Sequence, residues 1–326
     1  MVIDYSKWDT LTYACSSSSS EEEEDEDEGE KEAGSALPEK LGNLSLSSSS
    51  PLWNGLLHYK DVFVSHVLSK LNRTDRFFFS MVNSESQDVL KYAGVDVSKL
   101  RYAVWECTST STLEWLWNHI AWGEEFEDGT LRDQALFCFQ VALTNKLEFL
   151  KWAREVKDCE WDEKAIAAAA RKGNLEMLKY CFSNDCPCDE EMSCKGAAVR
   201  GHLDCVRFLF DKVKPSRDTE KETAIQATCG GHVETLKYFV EERKIPDGLK
   251  SECMCNAAMH GKLDCLKYLL GEEAKAPLND WQYIASARHY EHPECVNYLL
   301  EKGCPEPTDE DNARCSQGQQ QRSDFE

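Results

Sequence analysis

The sequence lacks the long apolar segments and the short catalytic motifs that identify membrane proteins and many enzymes. No run of 18 apolar residues is present, so no transmembrane helix is predicted. There is no Gly-rich phosphate loop, no nucleophile elbow and no helix with paired histidines. The N-terminus shows no charged-then-apolar secretion signal. We therefore expect neither an enzyme nor a cofactor-binding protein.

Basic residues are also scarce relative to acidic ones. The 326 residues include 37 Lys and Arg against 59 Asp and Glu, which gives a net charge of −22. Nucleic acids and anionic membranes attract basic surfaces, so this balance argues against both as partners.

What is present is a repeat between about residues 131 and 306. Six similar blocks are spaced 28, 28, 30, 30 and 30 residues apart, and they begin at Leu147, Leu175, Leu203, Val233, Leu263 and Pro293. Each block has an apolar residue at its fourth position and an aromatic residue at its sixth. Such a pattern predicts one apolar stripe on a helix.

A second helix precedes each block. Six residues before the first residue of each block there is always a small or β-branched residue. Two residues before it there is Gly or Asn, except in the last block, which has Glu291. Gly and Asn favour the left-handed conformation of a tight turn. Each unit is therefore predicted to be a helix–turn–helix. Since one hairpin cannot bury its stripe, stacked hairpins would form an all-α solenoid.

Five or six of these units resemble ankyrin repeats, and three show the resemblance best. The shared pattern is Ala-x-x-x-Gly followed three residues later by an acid, as in Ala197, Gly201 and Asp204, and it recurs at 227–234 and 257–264. The resemblance covers roughly residues 131–306, and we extend the array to 101–306. It implies stacked helical hairpins that bind proteins. The units lack the Thr-Pro-Leu-His tetrapeptide, and they are shorter than the family's usual length of about 33 residues. We therefore expect the stack of helices that is typical of the family, but not its long β-hairpin fingers.

The 16 cysteines fit this repeat better than a metal site. Cys205, Cys265 and Cys295 share one repeat position, where cysteine acts as a small apolar residue. Cys186-Pro187 recurs as Cys304-Pro305, so it belongs to a repeat turn rather than to a zinc site. Without a secretion signal, reduced thiols and an intracellular location in the cytoplasm or nucleus are expected.

The N-terminal segment 1–50 is predicted to be a disordered acidic tail. It has 13 acidic and 3 basic residues and two runs of serine, and it cannot bury enough apolar area to fold. Its serines next to acids are candidates for phosphorylation. Residues 307–326 are polar and aperiodic, and they are predicted to form a second loose tail.

Residues 51–100 form a separate helical module in this interpretation. Apolar residues recur there at helical spacing, among them Leu57, Val62, Phe63, Val67, Leu68, Leu71 and Phe77. The pattern is similar to an F-box, which implies docking onto the linker subunit of a cullin–RING ubiquitin ligase. It departs from the F-box at His58, where a Pro is usual, and lacks a Trp near the third helix. The alternative is a cap on the repeat array.

Residues 101–127 are rich in tryptophan. The segment 113–117 fits the repeat frame and predicts a divergent first repeat. There are two alternatives for the tryptophans. They pack against the preceding helices, or they form an exposed patch that anchors a partner.

The predicted binding surface lies on the concave side, which the first helices and the loops before them would form. Residues that vary between repeats are candidates for recognition, and we select Trp161, Asp162, Glu190, Lys221, Asp280, Trp281 and Tyr283. The tryptophans fall outside the buried stripe and are typical of interface hot spots, although each could instead pack into a neighbouring loop. Acidic loops favour a basic partner. Two functions remain: a non-enzymatic protein-binding module, or an F-box-type substrate receptor.

Overall fold

The computed structural model describes residues 59–124 and 133–308, and every regular element in these two ranges is a helix. The all-α prediction is thereby confirmed. Contacts divide the described residues into two compact units, 59–124 and 133–308. The predicted tail 1–50, the start of the helical module at 51–58 and most of the predicted C-terminal tail lie outside the described residues.

The first unit contains four α-helices, with short 3-10 turns between them. The helices are α1 Lys60–His66, α2 Arg73–Ser80, α3 Ser84–Tyr92 and α4 Thr110–His119. Asn72 caps α2, because its side-chain oxygen accepts a hydrogen bond from the Asp75 amide at 2.7 Å. Asn83 caps α3 through the Ser86 amide at 2.8 Å. These caps satisfy backbone donors that the helix itself leaves without partners.

The first unit has its own apolar core. Leu68, Leu90 and Leu100 are buried together, and Phe63 packs against them. On α4, Trp115 makes an edge contact with Phe78 at 5.3 Å between ring centroids. Residues 101–124 thus pack with the preceding helices, as one alternative expected, whereas the repeat frame had placed them in the array.

The second unit is a series of six helical hairpins. The first helices are α5 Gln134–Leu143, α7 Glu163–Arg171, α9 Glu190–Val199, α11 Arg217–Gly230, α13 Asp247–Met259 and α15 Gln282–His289. The second helices are α6 Leu147–Lys151, α8 Leu175–Ser183, α10 Leu203–Val213, α12 Val233–Lys237, α14 Leu263–Leu269 and α16 Pro293–Glu301. Helices α6 and α12 continue as single π-helical turns, Trp152–Val156 and Tyr238–Glu242.

The hairpins stack in register. Each first helix packs on the next first helix, and each second helix packs on the next second helix. The core between the two rows is formed by the predicted repeat positions. The residues six before each block are fully buried: Val141, Ala169, Ala197, Ala227, Ala257 and Ala287. Small side chains there allow the helices to approach closely, which explains why the pattern requires them.

The hairpin turns have the predicted left-handed conformation. The turn residues Asn145, Gly173, Gly201, Gly231, Gly261 and Glu291 all have φ between 60° and 81°. The residue that follows each turn reaches back over the turn of the preceding repeat. We call this series of side chains the junction ladder; its members are Asn174, His202, His232, Lys262 and His292.

The histidines of the junction ladder make one repeated contact. The Nε2 atoms of His202, His232 and His292 donate to main-chain carbonyls of the preceding repeat at 3.0–3.1 Å. A carbonyl can only accept, so Nε2 carries the hydrogen. Both His202 and His232 thus hold the turn of one repeat to the last helical residue of another.

Candidate partner-binding surface

The second unit has a groove of about 800 Å³ between the N-terminal halves of α9 and α11. Its charged lining consists of five acidic residues and one lysine: Asp189, Glu190, Glu191, Asp218, Glu222 and Lys195. The groove therefore presents an excess of negative charge between two neighbouring first helices.

Four of the five acidic residues come from the starts of the two helices, and Glu222 lies one turn further along α11. Asp189 caps α9 by accepting a hydrogen bond from the Met192 amide at 2.8 Å. Ser216 caps α11 in the same way through the Thr219 amide at 3.1 Å. Acids in a first helical turn are stabilised by the positive end of the helix dipole. Local helix formation thus explains why the acids gather at this edge.

Lys195 crosses the groove and offsets part of its charge. Its Nζ atom lies 2.7 Å from a Glu191 carboxylate oxygen on the same helix and 3.9 Å from Glu222 on α11. The lysine side chain is mostly buried, whereas Glu191 is exposed. Asp218 is exposed as well and has no ion pair within the described part of the chain. Negative charge therefore remains available to a ligand.

The thiols beside the groove are poor nucleophiles. Burial raises the pKa of the Cys188 thiol and raises the pKa of Cys194 to about 12. A thiol must lose its proton to attack or to bind a metal, so both act as small apolar groups at neutral pH. Among the described residues, no group of three or more His, Cys, Asp or Glu side chains is arranged to hold a metal ion.

Two of the predicted partner-binding residues lie on neighbouring first helices. Glu190 lines the groove. Lys221 is exposed on α11, and its Nζ lies 2.9 Å from Glu252 on α13. Glu222, one position further along α11, was not selected from the sequence. Its four-residue spacing from Asp218 puts both on one helix face, which is the signal that could have identified it.

Trp161 and Asp162 have contacts within the array. The Trp161 ring is half-buried, stacks under the guanidinium of Arg154 at 4.3 Å and meets Tyr180 edge-on. Both neighbours belong to the row of second helices. Asp162 caps α7 through the Lys164 amide, and its carbonyl accepts the thiol of Cys186. This tryptophan packs against its neighbours, which was the alternative considered for it.

The three residues selected near α15 differ in their exposure. Asp280 accepts a hydrogen bond from the Gln282 amide at 2.9 Å, and Trp281 is half-buried just before the helix. Tyr283 is only 1% exposed, and its hydroxyl donates to the Pro277 carbonyl. This corrects the expectation for Tyr283, because a buried side chain in the core cannot contact a partner.

The repeats can now be compared with known proteins. A family model of ankyrin repeats, in three copies, matches residues 195–280 and 224–311. Residues 195–311 of this chain are ankyrin repeats. Ankyrin repeats support a role in protein–protein interaction. The match covers α11 and the second half of α9, and it begins after Asp189, Glu190 and Glu191, which line the groove. No curated protein matches the chain significantly. Within the described ranges, no helix is long and apolar enough to cross a membrane.

Proposed function

We propose that this chain is a non-enzymatic binding module that holds a basic segment of a partner protein in the groove between α9 and α11. The observation that carries the proposal is the groove's five acids against one lysine, on the first-helix side of the stack. We take that side to be the concave, partner-binding face of the stack. An intracellular setting is part of the proposal, since the fourteen described cysteines are all free thiols.

Electrostatics would govern this association. Lysine and arginine side chains of the partner would pair with Glu190, Asp218 and Glu191. Such pairs at an accessible surface raise the association rate and weaken as salt screens them. The Lys221–Glu252 pair on the adjoining helices would border the bound segment.

Reversing charge in the groove tests the proposal. We expect the variant Glu190→Lys/Asp218→Lys to bind a fluorescent peptide of alternating Lys and Arg at least about tenfold more weakly, which corresponds to about 1.4 kcal/mol. Fluorescence anisotropy at two salt concentrations would measure this. The matched control is Glu272→Lys/Glu273→Lys, which changes the same charge at two exposed positions away from the groove.

The control separates a site from a net-charge effect. Its affinity should stay close to that of the unchanged protein. Equal weakening in both variants would show that the peptide responds only to the total negative charge, and the groove proposal would then be wrong.

A second candidate function concerns the first unit, and a feature of α1 favours it. This helix has no buried residue, and Tyr59 and Val62 at its start are 63% and 55% exposed. Phe63 and Val64 anchor the other side of α1 to the core of the unit. Docking onto the linker subunit of a cullin–RING ligase would use the exposed pair of apolar side chains, Tyr59 and Val62. The array would then hold the target of a ubiquitin-ligase substrate receptor.

Binding of the full chain to that linker subunit would decide this candidate. We expect Val62→Lys to abolish capture of the purified linker subunit, because a charge at an exposed apolar contact is costly to desolvate. Val156→Lys is the control, since Val156 is 66% exposed on the array. If the unchanged chain captures no linker subunit, the receptor function is excluded and the binding module stands alone.

A further inference from the structure

Residues of the junction ladder contact the C-terminal ends of the helices whose N-terminal halves line the groove. Helix α9 ends at Val199 and α11 ends at Gly230. His232 follows α11 and donates its Nε2 hydrogen to the Val199 carbonyl at 3.0 Å. His202 follows α9 and donates to the Arg171 carbonyl of α7 at 3.1 Å. These two histidines thus connect α7, α9 and α11, the helices that form and support the groove.

The other ring nitrogen of each histidine faces a glycine. A Cβ atom placed on Gly173 would lie 2.4 Å from Nδ1 of His202, and one on Gly201 would lie 2.4 Å from Nδ1 of His232. Neither Nδ1 atom has a hydrogen bond to any residue that the structure describes. In the neutral ring, Nδ1 needs no acceptor. A proton there would create a donor that points at a backbone carbon.

Cationic side chains disfavour a charge on the two rings, and a charge on His232 would disfavour a second one on His202. Arg200 on α9 acts on both histidines, His232 acts on His202, and Lys262 from the next repeat acts on His232. From α7, the main-chain carbonyl of Arg171 accepts the hydrogen bond from His202. A protonated ring would therefore carry its charge beside like charges, with no carboxylate among the described groups that act on it.

We propose that His202 and His232 make the groove acid-sensitive: their protonation loosens the packing of α7, α9 and α11 and weakens partner binding. This inference rests on the proposed function for its effect on binding. Its effect on the stability of the array does not depend on any partner.

The direction of the pH dependence follows from the neutral state of the rings. Burial is the largest cause and lowers the pKa of His202 and of His232 below the ordinary value. The hydrogen bond to a main-chain carbonyl opposes this shift in each ring, and the neighbouring cations add to it. The unfolded chain therefore takes up protons first as the pH falls below about 6.5. Stability is complete above that pH and is lost as the pH falls through the pKa values of the folded protein.

Asparagine is the replacement that the chain itself offers. Asn174 occupies the same ladder position, and its Nδ2 donates to the Asn145 carbonyl at 3.0 Å without titrating. In His202→Asn/His232→Asn, we expect the fall in Tm between about pH 7.5 and about pH 5.5 to shrink to roughly half of its original size. His289→Asn, at an exposed position, should retain the original fall.

Two further measurements keep the test decisive. NMR titration of the His202 and His232 rings in the unchanged protein should give midpoints below the ordinary value. Midpoints at or above it, or an undiminished fall in Tm in the double variant, would overturn the proposal. The basic peptide should bind more weakly to the unchanged protein at the lower pH. If it binds at neither pH, the proposed function fails, while Tm and NMR still decide the histidines.

Discussion

Replacement of Gly201 by valine is expected to lower the Tm of the array by roughly 10 °C. Gly201 has φ of 74°, a conformation that costs other residues about 1–2 kcal/mol, and more when the side chain is β-branched. The new Cβ would also lie 2.4 Å from the His232 ring. Relieving that overlap breaks the bond from His232 to Val199. A total of about 3 kcal/mol or more corresponds to a shift of this size for a unit of this length.

Gly303 supplies a matched control. Its φ is 82°, and a Cβ atom added there would meet no atom within 4 Å. Gly303→Val therefore carries the backbone strain without the collision, so we expect about half the loss or less. Thermal unfolding followed by circular dichroism would compare the two variants. Equal losses would show that the His232 contact contributes nothing, and an unchanged Tm for Gly201→Val would contradict the turn assignment.

The hairpin turns were predictable because their signal is local. A left-handed turn selects Gly or Asn by steric exclusion alone, and the same spacing recurred in five blocks. Even Glu291, where the residue type departs from the pattern, has a φ of 60°. The repeat frame around it imposes the conformation. Period and turn chemistry thus determined the hairpins without knowledge of the packing.

Tyr283 shows where the same reasoning failed. The equivalent positions in the other repeats are Phe137, Ala165, Ser193, Thr223 and Cys253, and all of them are buried. Their residue types differ widely in size and polarity. Variation between repeats was interpreted as a recognition surface, yet here it reflects a core position that accepts different volumes. The position ten residues before each block indicates burial in every repeat. The different residue types at this position made it look like a surface position.

The groove could not be predicted because it depends on two helices at once. Glu190 and Glu222 lie in different repeats, and only the rotation of α9 against α11 brings their side chains to one concavity. Trp161 illustrates the same limit. Its place in the chain suggested the first-helix side, but its ring packs with Arg154 and Tyr180 of the second row. The sequence pattern within a single repeat does not predict which side chains of neighbouring repeats come into contact.

The second large effect is expected for Leu236→Ala in the middle of the array. Leu236 on α12 is fully buried, and truncation of such a leucine costs about 2–5 kcal/mol, because a cavity remains where the side chain stood. Leu300→Ala is the control, since Leu300 lies on the equivalent second helix α16 but is 36% exposed. We expect the control to lose less than about 1 kcal/mol.

The position of Leu236 in the stack makes this result informative about cooperativity. Each repeat contacts only its neighbours, so stability is approximately a sum of repeat and interface contributions. The Leu236→Ala substitution weakens the hairpin of α11 and α12, which lies between helices α5–α10 and helices α13–α16. Urea unfolding followed by both circular dichroism and tryptophan fluorescence should then give midpoints that no longer coincide. Circular dichroism reports all six hairpins, whereas eight of the nine tryptophans precede Leu236 and only Trp281 follows it. Coincident midpoints at a lowered urea concentration would instead show that the six hairpins unfold as one unit even when the central one is damaged.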